Sequence, residues 1–243
     1  MTYVIIGMGL FLVAIGFVVN VKNARYLLSG YNTMSEENRK KVDIDSLIAY
    51  LRKFQVFLGL SLIVFGLALI WLFGEIAGAL FLAIYPIVAY MYFIWDSRKF
   101  SRGLPHRWHW VSIIILVATL VFVGVLFASG LKEDKLLVAE DAIIVEGSYG
   151  SKLATTDIRS VVLVDSIPPI VMKSNGFAVG AIRKGYFKTR DGEVVRLILN
   201  SSQVPCILIT LTTGEKIYYA AADVAGADIY DQIRVAFPEV VGE

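Results

Sequence analysis

Apolar and polar residues follow two different patterns along the chain, and the pattern changes near residue 131. Before that point, nearly uncharged stretches are each long enough to cross a hydrocarbon core of about 30 Å, which takes about 20 helical residues. These stretches are 3–21, 54–74, 76–95 and 110–131. Lipid offers no partner for backbone N–H and C=O groups, so the pattern predicts four membrane-spanning helices.

After residue 131, apolar and polar residues alternate, as is typical of strands with one buried face. Four turn signals divide this part into apolar runs: Glu140-Asp141, Pro168-Pro169, Asp191-Gly192 and Thr213-Gly214. Near the C-terminus, an apolar stripe at helical spacing predicts a helix with Asp223 as its N-cap. The stripe consists of Val224, Ile229, Ile233 and Phe237. We therefore expect about seven strands and one helix, folded as a small β-barrel or sandwich.

The composition agrees with a membrane protein. Apolar residues make up 57% of the 243 residues and charged residues 18%, which lies outside the range of soluble domains. Basic residues follow the first apolar stretch and do not precede it. This order favours a retained anchor over a cleaved signal peptide.

Positive charge is distributed unevenly among the segments that join the spans. The segments 22–53 and 96–109 carry eleven Lys and Arg residues, whereas the N-terminus and the Gly74-Glu75 turn carry none. By the positive-inside rule, both basic segments lie in the cytoplasm and both chain termini lie outside. Residues 132–243 carry twelve basic and fifteen acidic residues, so the net charge of +2 averages a basic half and a slightly acidic half. This balance argues against nucleic-acid binding.

The first basic segment contains a hydrophilic stretch with several helix-start signals. Thr33 and Glu36 have the spacing of a capping box, in which Thr33 bonds the N3 amide and Glu36 reaches back. Asp45 or Ser46 is expected to cap a second helix. This second helix is predicted to lie on the membrane surface before it turns into the second span.

The run Gly30-Tyr31-Asn32-Thr33-Met34-Ser35 lies in the same stretch. It resembles an uncharacterised family of small bacterial membrane proteins that share a GYNTMS-type cytoplasmic loop, and the resemblance covers roughly residues 1–100. The resemblance implies a bacterial inner-membrane location and no known activity. Helix capping alone accounts for the loop as a connector. We therefore expect its pattern residues to be structural, and these are Tyr31, Asn32 and Thr33.

The stretches EDAIIVEGSYGSKLATTDIRSVVLVDSIP and NGFAVGAIRKGYF lie in the strand-rich half. They resemble the bacterial pleckstrin-homology-like (PH-like) domain family, over about residues 131–237. The resemblance implies an all-β barrel or sandwich with a C-terminal helix. Its pattern residues are Asn175, Gly176, Gly180, Lys184, Gly185 and Phe187. Glycine suits a bulged or closely packed strand and Phe187 suits a core position, so we expect this pattern to be structural.

A basic cluster in the same region is the candidate ligand-binding site, and it consists of Arg183, Lys184, Lys188 and Arg190. The eukaryotic relatives that the resemblance implies use basic residues near the first hairpin to bind phosphoinositides. Here that place holds Glu140, Asp141 and Glu146, which would repel an anionic headgroup. The cluster is either a solvated hairpin face or a contact for anionic lipid or an envelope polymer. An exposed strand edge offers another binding mode, the addition of a peptide strand.

Transport and metal binding receive little support. The spans contain no ionisable side chain of the kind that usually marks an ion path. His106 and His109 lie three residues apart, with Asp96 in the same loop. Two histidines are fewer ligands than a zinc site normally uses, so an interfacial basic and aromatic belt is the expected role.

Catalysis is not expected either. The sequence lacks the common motifs of hydrolases, metalloproteases and nucleotide-binding enzymes, and residues 132–243 contain no histidine. The only cysteine, Cys206, lies in an apolar run and has no histidine partner. We expect it to be a buried apolar side chain and not a nucleophile. No cofactor is expected.

The sequence thus predicts a four-helix transmembrane domain at residues 1–130, with two basic cytoplasmic loops, and a PH-like domain at residues 131–243. We expect a non-catalytic bacterial inner-membrane protein that scaffolds or senses, with the PH-like domain outside. One alternative places this domain in the cytoplasm, where it binds a protein or lipid, and another is a small transporter. The expected partners are the lipid bilayer, a protein or anionic envelope component, and further copies of the chain.

Overall fold

The computed structural model describes residues 1–28, 30–101 and 107–242, with only the backbone of residues 107–109. The chain divides into two compact units, Met1–Phe127 and Ala128–Glu243. Helices form the first unit, and strands form most of the second.

Six α-helices and one 3₁₀ helix, Arg98–Phe100, lie in the described part of the first unit, and the last α-helix continues into the second. The α-helices are α1 Thr2–Val18, α2 Ala24–Leu27, α3 Glu36–Arg39, α4 Ile44–Phe73, α5 Glu75–Ser97 and α6 Arg107–Leu131. Three segments of the described chain are long and apolar enough to cross a membrane, by length and composition: α4, Glu75–Phe100 and Trp110–Leu131. α1 is apolar but shorter, with 17 residues. Three helices therefore meet the length required of a span, against the four that the sequence pattern predicts.

α1 packs closely against α4 where both helices carry glycine. A Cβ atom on Gly9 would lie 2.7 Å from the carbonyl oxygen of Gly59, and a Cβ atom on Gly59 would collide with the carbonyl of Gly9. Farther along the same contact, Gly66 lies against the fully buried Ile5. Small residues allow helix backbones to approach, and such packing holds helices together where no hydrophobic effect acts between them.

Two side-chain hydrogen bonds connect α4 with α5, after the chain has reversed at Gly74. The Gln55 Nε2 group donates to the Tyr90 hydroxyl at 2.6 Å, and the Ser61 and Tyr85 hydroxyls are 2.6 Å apart. Each bond gives a polar side chain a partner within the helix pair, which polar groups in a membrane span require.

α3 begins two residues later than the capping box predicts. Its N-cap is Ser35, whose hydroxyl accepts a hydrogen bond from the Asn38 N–H at 3.3 Å. The hydroxyl of Thr33 instead donates to the Gly30 carbonyl at 3.2 Å. The predicted cap is wrong because α3 starts at Glu36, and the Thr33 hydroxyl instead closes the preceding turn.

α4, in contrast, begins earlier than predicted, before both expected caps, Asp45 and Ser46. Its N-cap is Asp43, whose carboxylate accepts a hydrogen bond from the Ser46 N–H at 3.1 Å. The backbone N–H of Asp43 donates to the Phe100 carbonyl at 2.9 Å, and this contact holds the cap in place. α4 then runs without a break for 30 residues, so the predicted separate helix on the membrane surface is wrong.

The second unit contains nine strands within its described residues. They are β1 Leu136–Val138, β2 Ala142–Val145, β3 Ser151–Ala154, β4 Ile158–Val164, β5 Ile170–Val179, β6 Ile182–Thr189, β7 Val194–Leu199, β8 Cys206–Leu211 and β9 Lys216–Ala220. One sheet has the order β1-β2-β3, and the other has the order β4-β8-β9-β7-β6-β5. Of the strand pairs described, only β7 with β9 is parallel.

The sequence pattern predicts about seven strands because it misses two features of this region. A short 3₁₀ helix, Thr155–Asp157, divides one predicted strand into β3 and β4. β5 is an edge strand with mostly exposed residues, so it shows no regular alternation of apolar and polar positions.

The main core of the second unit lies between the two sheets and the C-terminal helix, α7 Gly226–Ala236. Ile143 from the small sheet, Ile209 from the large sheet and Ile233 from α7 are all fully buried. The N-cap of α7 is Ala225 and not Asp223 as predicted. Val224, the first residue of the predicted stripe, is exposed, whereas the other three are buried.

Candidate functional site

The glycines of the PH-like pattern lie in the β5–β6 hairpin. Gly176 pairs directly with Gly185, and their φ angles are 155° and 124°. A Cβ atom on Gly176 would collide with the Lys184 carbonyl, and one on Gly185 would collide with the Asn175 carbonyl. Gly180 occupies the turn between the strands. The paired glycines let two backbones approach at a point where no side chain fits.

Two of the other three pattern residues, Phe187 and Asn175, have packing or hydrogen-bonding partners within the unit. Phe187 is 2% exposed and belongs to an apolar cluster with Val195 and Leu197. The side-chain oxygen of Asn175 accepts a hydrogen bond from the Tyr149 hydroxyl at 3.2 Å. These contacts connect β5 and β6 with neighbouring parts of the domain.

The structure separates the four basic residues of the candidate cluster. Lys188 and Arg190 are exposed, Lys184 is buried, and Arg183 is half-buried beside a cavity. Successive residues of a strand point to opposite faces, so Arg183 and Lys184 do not share a surface. Only Lys188 and Arg190 have the exposure expected of a solvated hairpin face.

Lys184 holds the segment that follows α6. Its ammonium group lies 3.3 Å from the Asp134 carboxylate and also donates to the Lys132 carbonyl. The side-chain amide of Asn200 accepts from the Asp134 N–H at 3.1 Å and donates to the Asp134 carbonyl at 2.9 Å. Residues 132–134 are thus fixed to the strands of the second unit. No sequence signal marks Asp134, because the partners that bury it lie far along the chain.

A cavity of about 320 Å³ opens at one end of the six-stranded sheet. β4 and β7 end where β6 and β8 begin, because these neighbouring strands run in opposite directions. The cavity is lined by Ser166, Ile167, Ala181, Arg183, Leu199, Ser201, Ser202, Gln203, Val204 and Cys206. Arg183 is the only charged residue in this lining. The sequence indicated Arg183 through its charge but gave no sign of the serines that lie beside it.

The lining combines hydrogen-bonding groups with an apolar floor. Ser201 donates to the Ala221 carbonyl at 2.5 Å, and Gln203 donates to the Ala222 carbonyl at 3.1 Å. The guanidinium group of Arg183 has no ion-pair or hydrogen-bond partner in the part of the chain that the structure describes, so its donors remain for a ligand. A guanidinium group binds carboxylate or phosphate strongly.

Cys206 is one of the residues that line this cavity, and it is 2% exposed. Burial raises the pKa of the Cys206 thiol above its ordinary value, and the Asp165 charge acts in the same direction. A protonated thiol is a poor nucleophile. The cavity thus combines polar side chains with a buried thiol whose raised pKa disfavours the thiolate.

The described residues contain no group of three or more His, Cys, Asp or Glu side chains placed to hold a metal ion. The two histidines of the metal alternative fall outside what the structure describes: His106 is not described, and only the backbone of His109 is.

The three pattern residues of the N-terminal loop are held mainly through their backbone carbonyls. Arg39 donates from Nε to the Tyr31 carbonyl at 3.2 Å and from Nη2 to the Asn32 carbonyl at 2.9 Å. The hydroxyl of Thr33 donates to the Gly30 carbonyl. Arg39, which the charge pattern marks only as one of the basic residues of segment 22–53, therefore organises the loop.

Residues 6–101 match the model of a family described as Domain of unknown function (DUF3784). This is an uncharacterised family, and the match agrees with the resemblance found for the N-terminal half through its GYNTMS-type loop. No curated protein and no solved structure matches the chain.

Proposed function

We propose that the chain is a non-catalytic protein of the bacterial inner membrane, in which four apolar helices anchor an extracytoplasmic PH-like domain that binds an acidic group of a partner. The observation that carries this proposal is the cavity at the end of the six-stranded sheet, where Arg183 is the only charged lining residue and has no ion-pair or hydrogen-bond partner among the described residues. The partner is a protein or an anionic component of the cell envelope.

The size of the cavity limits what it binds. About 320 Å³ is near the lower end for small-molecule pockets, which hold roughly 300–1,000 Å³. One carboxylate-bearing side chain or one small headgroup fits this space. The partner thus inserts a single acidic group, and the serine hydroxyls and Arg183 fix its orientation.

The membrane arrangement rests on length and charge. α1 has 17 residues, which is at the lower limit of about 17–25 residues for a transmembrane helix. With α1 as the first of four spans, both termini lie on the same side. By the positive-inside rule, the basic segments 22–53 and 96–109 face the cytoplasm, which leaves both termini outside.

The binding proposal is tested with the full chain in a neutral detergent and a dye-labelled hexaglutamate peptide, by fluorescence anisotropy. Arg183→Gln is expected to weaken binding at least about tenfold, since a hydrogen bond to a charged group contributes about 1.5–3 kcal/mol. Arg190→Gln is the matched control, because it removes the same charge from an exposed position of the same hairpin. Equal weakening in both variants would show general charge attraction and reject the cavity as the site.

Sidedness is tested separately in a Cys206→Ser background. Asp141→Cys places a thiol at an exposed turn of the second unit, and Lys41→Cys places one in the basic loop. A membrane-impermeant maleimide is expected to modify Cys at position 141 in spheroplasts and Cys at position 41 only after lysis. The reverse result would place the domain in the cytoplasm, with a protein or lipid of that compartment as partner.

A further inference from the structure

A second cavity, of about 310 Å³, lies in the loop between α1 and α4. It is lined by Arg25, Tyr31, Glu36, Arg39 and Lys40. Three of these side chains are cations and one is a carboxylate, so the lining has a net charge of +2. The cavity is therefore suited to an anion.

Two guanidinium groups in this cavity converge on one oxygen atom. Arg25 Nη2 lies 3.3 Å and Arg39 Nη1 lies 2.9 Å from Oε1 of Glu36. The carboxylate oxygen of Glu36 thus shows where an oxyanion is held between two arginines. A phosphate group offers more oxygen atoms to these donors than the single carboxylate oxygen that they share.

The two sides of this contact differ in how firmly they are held. Arg39 is fixed by its hydrogen bonds to the Tyr31 and Asn32 carbonyls, and its side chain is 14% exposed. The side chain of Glu36 is 73% exposed and lies in the four-residue helix α3. Glu36 therefore moves away at little cost, while Arg39 keeps its position for an incoming anion.

Tyr31, which lines the cavity, packs against an apolar cluster that contains Val19, just after α1, and Ile48 of α4. Arg52 of α4 donates to the Gly16 carbonyl near the end of α1, and the uncharged run 54–73 of α4 begins just after it. A bilayer that is crossed by the run 54–73 has one layer of headgroups on the side of this loop. Basic side chains at this level attract anionic lipid.

We propose that Arg25, Arg39 and Lys40 bind the phosphate group of an anionic phospholipid, which replaces the Glu36 carboxylate between the two guanidinium groups. The same phosphate chemistry occurs in free inorganic phosphate, so the source is decided by experiment. The site lies in the N-terminal unit and does not depend on the cavity beside Arg183.

The test titrates the full chain in a neutral detergent with short-chain phosphatidylglycerol, followed by calorimetry. Arg25→Gln is expected to weaken binding about fivefold, as for the loss of one basic residue near a membrane surface. Lys41→Gln is the matched control, because Lys41 pairs with Glu37 outside the cavity. This variant is expected to bind as the unaltered chain does, within about twofold.

Glu36→Gln provides a test in the opposite direction. It removes the competing charge, so phosphatidylglycerol is expected to bind about fivefold more tightly. Unchanged or weaker binding would overturn the proposal, because Glu36 would then only stabilise the loop. Equal losses in Arg25→Gln and Lys41→Gln would also overturn it, as would equal affinity for short-chain phosphatidylcholine. Binding of inorganic phosphate as tight as that of the phospholipid would refute the lipid as ligand.

Discussion

Replacing one member of the Lys184 and Asp134 pair leaves the other charge buried without a partner. Their side chains are 3% and 5% exposed, and the ammonium nitrogen lies 3.3 Å from the carboxylate oxygen. Asn200 holds the backbone of Asp134 through two hydrogen bonds. The carboxylate therefore stays in place when Lys184→Met removes the positive charge, and it cannot reach solvent.

The expected loss of stability is large. Removing one partner of a buried ion pair costs about 3–5 kcal/mol, against a total of about 5–15 kcal/mol for a typical domain. Asp134→Asn in the Lys184→Met background removes the stranded charge while keeping the side-chain shape. The double variant is thus expected to be more stable than the sum of the single changes implies, by about 2–3 kcal/mol.

The chain carries its own probe for this measurement. Cys206 is the only cysteine among the 243 residues, and it is 2% exposed in the same unit as the ion pair. The rate of thiol modification at increasing urea concentration reports unfolding of that unit in the full chain. Lys188→Met is the control, since Lys188 is exposed on the same strand, and its effect is expected within about 0.5 kcal/mol.

One result would refute this reasoning. If Lys184→Met and Lys188→Met shifted the urea midpoint equally little, the pair would contribute nothing to folding. Lys184 would then have no structural role that keeps it from binding a ligand.

Three further predictions use the same chain. Gly185→Ala is expected to lower the free energy of unfolding by about 2 kcal/mol or more, because its φ of 124° and a nearby carbonyl exclude a Cβ atom; a urea midpoint equal to that of the unaltered chain would contradict this. Ser35→Ala is expected to cost the N-terminal unit about 1 kcal/mol through loss of the α3 cap, with Thr33→Ala less harmful, and amide hydrogen exchange over residues 36–40 distinguishes the two. Burial raises the pKa of Tyr219 from 10.0 to about 12. The stabilisation that the protonated Tyr219 provides is therefore complete below pH 10, and about 2 kcal/mol of it is lost by pH 12. The urea midpoint of Cys206 modification is expected to fall less between pH 10 and pH 12 in Tyr219→Phe.

Most helices and hairpins follow from local patterns. The apolar stretches predicted α1, α4, α5 and α6, and the turn at Asp191-Gly192 predicted the β6–β7 hairpin. Helix starts were less predictable. Thr33, Ser35 and Asp43 are all suitable capping residues, and hydrogen bonds to other parts of the loop decide which of them caps a helix.

The candidate site was predictable only in part. The charge of Arg183 is visible in the sequence, but the serines beside it come from the ends of different strands. Arg25 and Arg39 were counted as topology signals, whereas the fold brings both to one oxygen of Glu36. Neither grouping leaves a local pattern, because each depends on how the chain turns back on itself.

By itself, the sequence determined that the chain has an apolar helical half and a strand-rich half, because periodicity and hydropathy are local properties. Only the tertiary structure decided that Lys184 is a buried ion-pair partner while Arg183, the adjacent residue, faces a cavity. Whether a charge is buried depends on contacts between residues from distant parts of the chain, and the spacing of residues along one strand does not contain this information.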